Sequence, residues 1–117
     1  MLQLSWVKSL DNKWLNLQNL DLTHIHATGV YMIWHGGENP RIVRIGHGNI
    51  AGRLTEHKLN QQIMRYFTHG PLMVTWTEVS EHETREGVAH YLTKQFNPLV
   101  KDRLPETMPL AARSPFA

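Results

Sequence analysis

The chain has no cysteine, so it carries neither a disulfide framework nor a thiolate metal site, which suits a reducing compartment. It also lacks a long apolar run. The first twenty residues are broken by Lys8, Asp11, Asn12 and Lys13, and form neither a signal-peptide core nor a membrane span. A soluble cytoplasmic protein is the expectation. A strong charge of one sign is missing as well: 12 Lys and Arg face 10 Asp and Glu for a formal net charge of +2, and 8 His can add charge beside an anionic partner. That balance permits nucleic acid without demanding it. At 117 residues, with no repeat or low-complexity segment, the chain reads as one domain with a single core, so function must sit on that domain itself.

Several familiar motifs are absent too. Residues 43–57 read VRIGHGNIAGRLTEH, with glycines at 46, 48 and 52. This spacing is one residue off the dinucleotide fingerprint, and no Gly-Lys-Ser/Thr makes it a phosphate loop. HETRE at 82–86 lacks the second histidine of a metalloprotease helix. His24 and His26 alternate so as to share one strand face, but no third ligand lies near them in sequence. No Ser-His-Asp spacing is specific.

What is present has an order. Residues 1–28 mix tryptophan and leucine irregularly with polar residues and read as a lead-in packed on the core. GVYMIWH (29–35) and RIVRIG (41–46), joined by GGENP, predict a β-hairpin. Asn49 can cap a helix reaching about His57, and a second short helix ends at Gly70 and Pro71. LMVTWTEV (72–79) reads as a third strand. Ser80 and Glu83 form a capping box for a helix with an apolar stripe at Val88, Tyr91, Leu92 and Phe96, stopped by Asn97 and Pro98. The tail from 101 to 117 is proline-rich and extended. The expectation is an α+β fold, a three-stranded antiparallel-type sheet flanked by helices.

Arg53 and His57 are four residues apart, so both leave one face of the predicted helix, just after a strand ending in Gly46. A guanidinium and an imidazole beside bare glycine backbone suit a phosphate. Tyr31 lies mid-strand in the partner. An Arg and a His so spaced also make an ordinary solvated helix face, and a strand tyrosine an ordinary core residue; spacing alone favours that plainer reading.

Taken together, Gly29-Val30-Tyr31, Arg44-Ile45-Gly46, Arg53, His57 and the run Tyr91-Leu92-Thr93-Lys94-Gln95-Phe96-Asn97-Pro98 resemble the GIY-YIG nuclease domain over about residues 29–100. The resemblance implies an endonuclease that hydrolyses DNA phosphodiesters with water and one Mg²⁺ or Mn²⁺. It gives Tyr31 the role of activating or positioning the attacking water. Arg53 holds the scissile phosphate, and His57 hydrogen-bonds the tyrosine or the phosphate. Arg44 stands where the family has its second tyrosine and supplies a cation or grips a phosphate. His47 has no fixed family role and reads equally as structural or as a substrate contact. Lys101, where an asparagine is usual, and Arg103 become candidate substrate contacts.

One departure dominates. The family's metal-binding glutamate falls on Ala89, whose methyl group cannot coordinate a hard cation; Glu86, one turn earlier, is a candidate surrogate that ranks below loss of the metal site. The chain therefore reads as an inactive variant with impaired metal binding, either made to hold substrate uncut or a natural inactive relative. No attached duplex-reading element accompanies the domain, so single-stranded DNA is preferred over duplex, held by Arg41, Arg44, Arg53, Lys58, Lys94, Lys101 and Arg103 and by stacking on His35, Tyr66 or Trp76. Trp34, Trp76, Tyr66 and Phe67 are otherwise core candidates. The alternatives are a catalytically dead nucleic-acid-binding module and an α+β protein-interaction domain.

Overall fold

A computed structural model describes residues 1–116. Four strands, β1 (Leu15–Asn16), β2 (Thr28–His35), β3 (Ile42–Asn49) and β4 (Leu72–Glu78), form one sheet in the order β1-β4-β2-β3. Every pairing is antiparallel. The helices are α1 (Ile50–Lys58), α2 (Gln61–Met64) and α3 (His82–Phe96), with 3-10 turns at Leu17–Asn19 and Arg65–His69. The class is α+β as expected, but the sheet has four strands, not three. β1 is two residues long, too short for any periodicity to show, and exists only through Leu15 pairing with Val74 and Asn16 with Met73.

Alternation along β2 divides the core. Tyr31 and Ile33 face one side with Val43, Val74, Trp76 and, from α1, Ile50 and Leu54. Val30, Met32 and Trp34 face the other, against Ile45 and, from α3, Val88, Ala89 and Leu92. Each fully buried aliphatic side chain contributes about 1.5–3 kcal/mol. A bulge interrupts the hairpin: Ile33 pairs with Arg44 but Trp34 with Ile42, leaving Val43 as the extra residue. Val43 and Arg44 consequently follow one another on the α1 side of the sheet.

The helix ends follow side-chain chemistry. Asn49 caps α1 through its side-chain oxygen, which accepts from Gly52 N at 2.8 Å, and Asn97 ends α3 in the left-handed conformation. The capping box at Ser80 does not form. The Arg85 guanidinium takes the Val79 and Ser80 carbonyls at 3.2 and 3.1 Å, holding Ser80 outside the helix, and Glu81 becomes the N-cap. His24 and His26 lie in irregular chain, not on a strand. Beyond Asn97 the described residues form no helix or ladder strand, though Leu99 and Val100 donate backbone hydrogen bonds to Ile42 and Val43 on the outer side of β3, at 3.0 and 2.8 Å. Among the described residues no helix is long and apolar enough to cross a membrane.

Candidate functional site

Tyr31 sits at the middle of β2, paired with Gly46 on β3 and Trp76 on β4. Its ring lies against Gly46 so closely that a Cβ there would overlap the phenol, which is why this strand position is a glycine. The phenol hydroxyl bonds to His57 Nε2 from α1, with the ring centroids 5.3 Å apart. Arg53, one turn earlier on α1, and Arg44, turned to this side by the bulge, bring two guanidinium groups to the same phenol. Guanidinium groups only donate, so the phenol proton goes to the imidazole.

Both members of the Tyr31–His57 pair are neutral. Burial pushes the Tyr31 phenol above its usual value, against the opposing pull of Arg53 and Arg44. His57 is 3% exposed, and burial, reinforced by the Arg44 and Arg53 charges, lowers its pKa to about 4. The positive charge of the cluster is balanced from an element far along the chain. Asp102 Oδ2 lies 3.2 Å from Arg53 Nη2 and 3.3 Å from Arg44 Nη2. Arg44 also donates to the Lys101 carbonyl at 3.4 Å, and Arg53 lies 3.7 Å from Glu56. The Nε atoms of both arginines and Nδ1 of His57 are buried without a partner. Buried donors in this cluster therefore exceed their acceptors, a set that can serve the oxygens of an anion.

The structure thus brings together Tyr31, Arg44, Arg53 and His57, the four residues grouped from sequence. His47 stands on the opposite side of β3, half-buried, its pKa lowered by burial and raised in part by Glu86. Glu86 is turned to the tail, where its Oε1 accepts from the Thr107 hydroxyl at 2.8 Å and lies 3.2 Å from His82 Nε2. Lys101 and Arg103 are exposed, the latter 3.6 Å from Glu106. Lys58 is spent on the Leu20 carbonyl at 2.6 Å, and Arg41 and Lys94 are exposed. His35 and Trp76 are buried and closed to stacking, whereas Phe67, next to the half-buried Tyr66, is 54% exposed. Sequence reading missed Asp102. It stands between Lys101 and Arg103, where it looks locally neutralised, and nothing in that neighbourhood points to Arg53, 49 residues earlier.

A divalent cation does not fit these residues. Ala89 is 2% exposed among Val30, Met32, Ile45 and Leu92, the Glu86 carboxylate is engaged by Thr107 and His82, and two guanidinium groups repel a cation at the phenol. Among the described residues no group of three or more His, Asp or Glu is arranged to hold a metal.

No family model matches the chain, and neither does any curated protein or solved structure.

Proposed function

We propose that the chain is a GIY-YIG-type DNA endonuclease domain that, in this form, grips the phosphodiester backbone of single-stranded DNA without cutting it. The observation that carries the reading is the convergence of Arg44 and Arg53, each with a buried unpartnered Nε, on the Tyr31–His57 pair beside Gly46. Two guanidinium forks suit the non-bridging oxygens of one phosphate and stabilise extra negative charge in a partly dry site. The Tyr31 hydroxyl, hydrogen-bonded to the neutral His57 and flanked by two cations, stays protonated and serves to position water or a phosphate oxygen. Metal-dependent cleavage calls for a carboxylate that Ala89 does not provide.

The single-strand preference rests on charge and shape. With a net charge of +2 and cations scattered over several faces, the domain neutralises few duplex phosphates, whereas a flexible strand can reach the cluster and stack on Phe67 or Tyr66. Titrating labelled single-stranded, duplex and RNA versions of one sequence at two salt concentrations tests this. Single-stranded DNA is expected to bind most tightly, more weakly at higher salt; equal or tighter duplex binding overturns the preference. Incubating the chain with labelled single-stranded DNA in Mg²⁺ or Mn²⁺ is expected to give binding without cleavage; cleavage that is lost in Arg53→Ala overturns the inactive form.

A further inference from the structure

The tail is fastened on both sides of Asp102. Leu99 and Val100 are hydrogen-bonded to β3; further on, the Thr107 carbonyl lies 2.7 Å from His90 Nδ1 and Leu110 N donates to Gly87 O at 2.9 Å. Residues 101–106 between these anchors make no backbone–backbone hydrogen bond among the described residues. They form a strap that walls one side of an open cleft of about 420 Å³, with His47 and Glu86 on the other side.

We propose that Asp102 is an internal ligand of the Arg44–Arg53 pair, standing where a phosphate group of the bound strand belongs, so that the strand enters by lifting the strap. The inference rests on reading the pair as a phosphate site. Asp102 satisfies the pair incompletely: Oδ2 alone serves both guanidinium groups, while Oδ1 accepts from Arg103 N at 2.8 Å. The buried Nε atoms stay unpartnered, and a tetrahedral phosphate offers the acceptors that a single shared oxygen lacks. The Asp102 side chain is 41% exposed, which makes its ion pairs weak enough to exchange.

The test compares Asp102→Asn with Glu106→Gln, which makes the same charge change on the same strap but at a carboxylate paired with Arg103. A labelled single-stranded oligonucleotide is titrated by fluorescence anisotropy, and thermal unfolding is followed with and without inorganic phosphate. Asp102→Asn is expected to bind the oligonucleotide about tenfold more tightly than the parent, as two partly exposed ion pairs allow, against less than about threefold for Glu106→Gln. Phosphate should raise the melting temperature of Asp102→Asn more than that of the parent. If the parent binds the oligonucleotide and the two variants gain equally, or Asp102→Asn binds more weakly, the internal-ligand inference is overturned and the strand reading stands. If no protein binds the oligonucleotide but phosphate selectively stabilises Asp102→Asn, the internal ligand stands and the strand reading falls. If no protein binds the oligonucleotide and phosphate does not selectively stabilise Asp102→Asn, both fall. Should Asp102→Asn fail to fold, Pro105→Gly, which keeps every charge and loosens the strap, decides: tighter oligonucleotide binding supports the inference and unchanged binding overturns it.

Discussion

The neutral, buried His57 makes stability depend on pH in a defined direction. Its pKa is about 4 in the folded chain against 6.5 for the ordinary group, so the unfolded state takes up a proton first as pH falls. The stabilisation is complete above 6.5 and is lost as pH drops from there through about 4. Between pH 8 and pH 5 these two values give a loss of about 2 kcal/mol. Burial also lowers the pKa values of His35 and His47, which adds loss on the same acid side. The comparison protein is therefore His57→Gln, whose amide oxygen can still accept from Tyr31 but does not titrate. Urea unfolding followed by tryptophan fluorescence at pH 8, 6 and 5 reads the difference, since Trp34 and Trp76 are buried. The parent is expected to lose about 2 kcal/mol more than His57→Gln over that range. Parallel losses in the two proteins would refute a neutral imidazole held at the centre of the cluster.

Gly46→Ala drives a methyl group into the Tyr31 ring and is expected to cost about 1–3 kcal/mol in urea unfolding; an unchanged midpoint would mean the ring does not lie on Gly46. Tyr31→Phe removes the donor to His57 Nε2 and should destabilise by about 1–3 kcal/mol, with no cost if the hydrogen bond is absent. Arg53→Ala should weaken oligonucleotide binding on every sequence tested and reduce the slope of log affinity against log salt by about 1; an unchanged slope removes Arg53 from the phosphate contacts.

Much of this architecture is legible in the chain because it is locally encoded. The β2–β3 hairpin carries its own alternation and turn residues, the Asn49 cap is a side chain reaching three residues ahead, and the i, i+4 spacing of Arg53 and His57 fixes their shared face. Where long-range contacts decide, the sequence is silent. β1 is strand only because β4 offers it an edge, and the helix starts after Glu81 rather than Ser80, whose carbonyl is taken, with that of Val79, by Arg85 from the next turn. Arg44 reaches Tyr31 only through the bulge at Val43, which no residue type in RIVRIG announces. Asp102 is the extreme case: its partners are 49 and 58 residues away, and its charge is masked by its own neighbours.

β3 is an outer strand of the sheet, eight residues long, and its open side is covered at Ile42 and Val43 by Leu99 and Val100. The segment that carries Asp102 over the arginines is thus also the guard of a sheet edge. An unguarded edge of that length is a template for another chain. Truncation before Leu99 therefore produces an assembly-prone protein rather than a more accessible monomer, and any gain in oligonucleotide binding by such a fragment has to be read against its state of self-association.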